Sequence, residues 1–250
     1  MPTAVFKKDF TPKTSDEVAE LMRRKLPLPS SAWKTLKAEN RARAFRIAGV
    51  NKASLIEGAQ KIITDGLRDR KALRDIRLEL LQLFEAEGVT APHLNHLRVI
   101  MRQNMAHVDS IARTRVLKNP AVLRHFPYWR YRTMRDAGVR SDHAALDGII
   151  LRADDPFWDH YKPPWAWGCR CTYTPVSRRE LKRLGIKLST MEDVTKQGIV
   201  PEPEFDVPRE TILPVDKAMI AAFSGKLKKY IEGVIADAEK LESKLLKENT

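Results

Sequence analysis

"WAWGCRCTY", residues 165–173, holds the only two cysteines of the 250-residue chain. Cys169 and Cys171 stand one residue apart, with Arg170 between them and Trp165, Trp167 and Gly168 in front. In extended backbone successive side chains alternate, so the two thiols share one face and Arg170 takes the other. A bond between residues i and i+2 closes a ring too small for ordinary disulfide geometry. Redox pairs more usually carry two residues between the cysteines. Two cysteines in so long a chain also make no secreted disulfide scaffold. The stretch therefore predicts free thiols on a strand, in a reducing cytoplasm or a particle assembled there.

Around that strand the composition is ordinary for a folded chain, with 43% hydrophobic residues. No apolar run approaches membrane-spanning length. The start, "MPTAVFKKDFTPKTSDEVAE", has no signal-peptide core. The expectation is a chain neither secreted by the usual route nor inserted in a membrane.

Charge says more. Lys and Arg number 45 against 32 Asp and Glu, a net +13. Between Arg98 and Arg140 the bases are Arg98, Arg102, Arg113, Arg115, Lys118, Arg124, Arg130, Arg132, Arg135 and Arg140, opposed only by Asp109 and Asp136. Arginine suits forked contacts with phosphate or carboxylate. Arg113, Arg115, Arg130, Arg132 and Arg135 are the candidate contacts to nucleic acid or to an acidic partner. The plainer reading is a solvated helix face.

The fold class expected is α+β. Residues 1–93 read as a helical N-terminal region. "SDEVAELMRRKL" opens on a Ser-Asp cap and ends before Pro27. "PSSAWKTLKAENRARAFRIAG" reads as a second helix, "NKASLIEGAQKIITDG" as a third ending at Gly66, and "DRKALRDIRLELLQLFEAEG" as a fourth ending at Gly88. Thr90 caps a longer helix with Leu97, Met101, Met105 and Val108 on one stripe. Residues 94–188 read as a small mixed core with short antiparallel strands. "YWRYRTM", "GIILRADD" and "CRCTYTPVS" are its strands, "AGVRSDHAALDG" a polar turn, "PFWDHYKPPWAWG" an irregular loop, and "SRRELKRLG" a capped helix ending at Gly185. Four prolines make 189–214 an extended arm. Residues 215–250 are helical again, interrupted by Gly225 and Gly233.

With these pieces placed, the region from about Arg98 to Ser177 resembles the phage Mu protein F-like family, the minor head or head-morphogenesis proteins of tailed bacteriophages. The match is carried by "MRQNM", "NPAVLRHFPYWRYRTM", "RSDHAALDG", "ADDPFW" and "PPWAWGCRC" in that order. The motif positions are Arg140, His143, Asp147, Gly148, Asp155, Pro156, Phe157, Trp158, Cys169, Arg170 and Cys171. The resemblance implies a virion component of the head, in low copy beside the portal or on the inner head face, made in the host cytoplasm. It implies the portal or the major capsid protein as partner, with packaged DNA as a further one, and no enzymatic activity. Some family members carry a histidine just before Cys-Arg-Cys, where this chain has "PPWAWG".

Three chemistries compete for the motif residues. Zinc wants four nitrogen or sulfur ligands. Cys169 and Cys171 give two, His143 a third, and His160 or His125 a fourth, although Cys-x-Cys is not a common structural-zinc spacing. The leading reading is that no cofactor binds and the thiols are small buried hydrophobes. The alternatives from other classes are a DNA-binding packaging or ejection accessory protein and a basic nuclease-like phosphodiesterase, whose candidate parts are His143 as general base, Arg140 steadying phosphate, Asp142 and Asp147. Asp147-Gly148 reads equally as a turn pair. The rings of Phe157, Trp158, Tyr161, Trp165 and Trp167 could stack on single-stranded bases, but packing is the better use of such surface.

Overall fold

The computed structural model describes residues 15–34, 36, 41, 44–90, 94–203, 205–206, 225, 228–229, 231–233 and 236. The fold is mixed α+β, mostly helical with one small antiparallel sheet. The chain divides into two compact units, built mainly on residues 19–100 and 101–210.

Helix α1 (Ser15–Arg23), which enters the first unit at Ala19, leads into β1 (Leu26–Pro27), and α2 (Ser30–Lys34) is a single turn. The long second helix expected over residues 29–49 does not form. Ala44–Phe45 is instead a strand, β2, paired parallel to β1 with Leu26 opposite Ala44 and Pro27 opposite Phe45. Such short apolar pieces follow neither period, so only their partner decides their state. Helices α3 (Ala53–Arg68) and α4 (Leu73–Ala86) bury Leu55, Ile56, Ala59 and Ile63 and, from the second, Ile76, Leu80 and Phe84. Gly66 does not end α3 as expected. It lies inside the helix, where an added Cβ would meet two carbons of Ile76 at 2.6 Å. Its use is close helix packing rather than chain reversal. Gly88, at φ 63°, does close α4.

The second unit is built on a long helix and a sheet. Helix α5 (Leu94–Lys118) runs from residue 101 onward in this unit. Thr90 is among the described residues, but residues 91–93, the first turn expected after it, lie outside them. Asn119 then caps α6 (Pro120–His125) by accepting from the Ala121 N–H. The three expected strands are present as β3 (Tyr128–Arg132), β4 (Ile150–Arg152) and β5 (Thr172–Val176), in the order β4-β3-β5 and antiparallel throughout. On β3 the alternation of ring and arginine works as read. Trp129 and Tyr131 are fully buried, and Tyr128, Arg130 and Arg132 take the other face half-buried.

Two segments are more regular than expected. The polar turn contains α7 (Ser141–Ala145), and the aromatic loop contains one helical turn, α8 (Phe157–His160). Asp155 accepts from the Phe157 N–H at 2.9 Å and so starts α8. Helix α9 (Arg178–Leu184) forms as read, with Ser177 accepting from the Glu180 N–H and Gly185 left-handed at φ 60°.

The extended arm needs a larger correction. Residues 191–195 form α10 (Met191–Thr195), started by a reciprocal cap between Thr190 and Asp193. Val194, Ile199 and Phe205 join the buried core of this unit. Tyr161 donates to the Ile199 carbonyl at 2.7 Å, and Ser189 N–H to the Ile150 carbonyl at 2.9 Å. The prolines limit helix length, but apolar burial folds the segment back. Most of the helix expected over 215–250 lies outside the described residues; those described there are helical, and Ile231 is buried. Among the described residues no helix is long and apolar enough to cross a membrane.

Candidate functional site

The sheet and the aromatic loop enclose one cluster of rings. Trp129 meets Trp158 edge-on at 5.4 Å, and Tyr131 meets Phe157 at 6.3 Å. Phe157, Trp158, Tyr161 and Trp165 are all buried. Trp167 is 39% exposed and packs edge-on against Phe205. Four of the five rings form the core, as the packing reading has it, and Trp167 stays partly exposed.

At the margin of that cluster three chain segments converge. His143 comes from α7, and Cys169 and Cys171 from the extended residues leading into β5. The Nδ1 of His143 lies 3.3 Å from the Cys171 sulfur and 3.6 Å from the Cys169 sulfur. The Tyr131 hydroxyl is 3.4 Å from the same nitrogen. Both thiols are free, Cys169 buried and Cys171 half-buried. Alternation sets this up: the sulfurs turn to His143, and Arg170 turns away to donate to Asp136 at 2.6 Å. Gly168, at φ 70°, makes the turn before Cys169 and donates its N–H to Gln103 at 2.8 Å.

The imidazole is held on every side. Trp165 lies over it, and the Trp165 indole N–H donates to the Tyr131 hydroxyl at 2.6 Å. On the other nitrogen, Nε2, Arg140 approaches at 3.0 Å. A guanidinium only donates, so Nε2 accepts and the ring proton sits on Nδ1, facing the sulfurs. The two thiols shift in opposite directions. Their mutual hydrogen bond holds Cys169 below the usual thiol range, and the same bond with burial pushes Cys171 up. Burial, then the neighbouring sulfurs, raises the Tyr131 phenol far above its ordinary value. A pocket of about 240 Å³ opens onto His143, Cys169, Cys171 and Arg140.

This framework, Arg140 and His143 at the start of α7 facing the Cys-Arg-Cys run before β5, with the Asp-Pro-Phe-Trp turn into α8 nearby in sequence, can be compared with known proteins. The profile of the family described as "Phage Mu protein F like protein" matches residues 49–174. The chain belongs to this family. The match begins well before Arg98 and takes in α3 and α4. Over 163 residues the chain is 29% identical to the Mu-like prophage FluMu F protein of Haemophilus influenzae, covering 60% of this chain and 39% of that protein. Over 173 residues it is 27% identical to the "Putative capsid assembly protein F" of Escherichia phage Mu, covering 63% and 39%. It is also 22% identical over 168 residues to the uncharacterized protein YqbB of Bacillus subtilis, covering 67% and 52%. The chain thus spans about two-fifths of the two Mu-type relatives. No solved structure matches it.

The Mu F-like motif residues do not act as one constellation. Asp147, weighed as a catalytic partner of His143 and Arg140, accepts instead from the Thr133 N–H at 2.7 Å and from Arg135 at 2.8 Å. It braces the turn after β3, and Gly148, at φ 87°, donates to the Tyr131 carbonyl. His160 pairs with Asp206, and His125 ends α6; neither joins His143 and the two cysteines as a fourth ligand. Of the candidate arginines, Arg113 pairs with Asp109 and Arg135 with Asp147, while Arg115 is exposed. The Nε and Nη2 of Arg130 are buried with no hydrogen-bond partner among the described residues. Tyr131 is a site residue that the motif does not reveal; its alternation with Trp129 placed it inward, but only the fold put its hydroxyl beside the sulfurs.

Proposed function

We propose that this chain is a minor head protein of a tailed bacteriophage, acting in head morphogenesis beside the portal or on the inner face of the head. The observation that carries this is the alignment over 173 residues with the phage Mu protein described as a capsid assembly protein. The geometry favours a positioning role over catalysis. Asp147 is spent on the turn after β3, and four of the five rings weighed for base stacking are core. Its partners are the portal or the major capsid protein. Packaged DNA is a further partner, through phosphate contacts indifferent to base sequence. Its place is the virion head, reached from the host cytoplasm.

The test is deletion of its gene from the parent phage, with purified heads probed for the chain by mass spectrometry. The expected result is a low-copy head component whose loss leaves heads aberrant or unfilled. Normal yields of infectious particles from the deletion, with the chain absent from wild-type heads, overturn the reading.

A further inference from the structure

We propose that His143, Cys169 and Cys171 form a zinc site, with the ion held by the imidazole Nδ1 and the two sulfurs. The three ligand atoms lie within 4.8 Å of one another. Zinc bonds of about 2.3 Å to sulfur and 2.0–2.1 Å to nitrogen, at tetrahedral angles, put N and S roughly 3.5 Å apart. The observed separations are 3.3 and 3.6 Å.

Hydrogen bonding accounts for this arrangement poorly. One ring nitrogen faces two sulfurs and a hydroxyl, and it has either a single proton or a single lone pair to offer them. A cation serves both sulfurs and the nitrogen at once. Thiolates with an imidazole select zinc over hard cations such as magnesium or calcium. The Tyr131 hydroxyl, already accepting from Trp165, keeps its own proton to donate toward sulfur, the kind of outer contact that steadies such ligands. Among the described residues no fourth histidine, cysteine or carboxylate joins the three. The fourth position is therefore left to water or to a ligand entering by the pocket.

Arg140 makes loading a switch. With the ion on Nδ1, the ring proton moves to Nε2, where the guanidinium of Arg140 now stands as a second donor. Arg140 must then leave, and its side chain is 45% exposed with the Glu202 carboxylate 3.6 Å from Nη1 to receive it. Zinc uptake releases thiol protons and removes the Arg140–His143 contact, leaving Arg140 to the Glu202 carboxylate it already faces.

The experiment uses the untagged full chain, loaded with zinc, freed of excess and analysed for metal, then loaded with cobalt(II). The expected result is one zinc per chain and a thiolate-to-cobalt charge-transfer band. Cys169 and Cys171 should resist a thiol reagent until chelator is added. Cys171→Ser should abolish the band and weaken zinc by more than the roughly 10–100-fold that loss of an outer-shell partner costs. Arg140→Gln, whose amide oxygen can accept from Nε2–H, should bind zinc as tightly or more tightly. If Cys171→Ser fails to fold, the parent chain still decides through its band and its thiol protection. Zinc below a tenth per chain with both thiols reacting freely overturns the proposal. So does stoichiometric metal unchanged in Cys171→Ser.

Discussion

Trp165 lies flat on the imidazole of His143, with ring centroids 3.8 Å apart and planes 11° from parallel. The same indole donates to Tyr131, so one side chain fixes two members of the site. Trp165→Ala should cost about 3–5 kcal/mol, the usual range for emptying a buried aromatic site. Trp165→Phe should keep the apolar contact and lose the hydrogen bond, costing about 1 kcal/mol beyond any repacking. Urea unfolding of the two variants checks the order, and equal losses would show that the indole N–H contributes nothing.

Asp147 gives the chain a pH dependence of definite sign. Burial alone would raise its carboxyl, but the Thr133 N–H, the Arg135 guanidinium and the Thr133 hydroxyl outweigh burial and hold it below the usual range. A carboxyl that ionises lower in the folded state adds stability that is fully present above its unfolded pKa, about 3.9. That stability is lost as pH falls through the folded value. Asp147→Asn should therefore be less stable than the parent by about 1–2 kcal/mol at neutral pH. The gap should close on acidification from about pH 4. Denaturation series from pH 7 to 3 test this, and a gap that widens in acid would reverse the sign.

The core of the second unit reaches past residue 188, as far as Phe205. Stopping the chain after Leu188 removes Val194, Ile199 and Phe205 from the core. At about 1.5–3 kcal/mol for each buried side chain, that loss rivals the whole stability of an ordinary domain. The expected product is unfolded or insoluble, whereas a chain stopped after Asp206 keeps these three side chains and should retain the cooperative melt of this core. Circular dichroism and thermal melts compare them. A well-folded chain ending at Leu188 would make residues 189–206 an appendage after all.

If DNA is a partner in the head, Arg113, Arg115 and Arg132 are the side chains to replace. Arg130 is a poor choice, because two of its guanidinium nitrogens are buried. Changing the three to Gln should lower the slope of log affinity against log salt by roughly 0.9 for each phosphate of duplex DNA that the variant no longer neutralises. Affinity across a salt series for parent and variant measures it. Equal slopes would assign these arginines to acidic protein surfaces.

The alternation of β3, the Ser177 and Gly185 ends of α9 and the apolar stripes of α3 and α4 were legible because each is a local matter. A period of two or 3.6, or a cap that satisfies a helix end, is written within a few neighbouring residues. The cap of α10 was equally written, as Thr190 and Asp193 three apart, but the prolines that follow masked it. The common face of Cys169 and Cys171, and Arg170 opposite them, also followed from the sequence. Tertiary structure alone paired Ala44–Phe45 with Leu26–Pro27, drew Val194, Ile199 and Phe205 into the core, and gave Asp147 to Thr133 and Arg135 instead of His143. It also brought His143 to sulfurs 26 and 28 residues away. Such contacts depend on which distant surfaces bury each other, because closing a long loop costs little more than closing a short one and burial settles the choice.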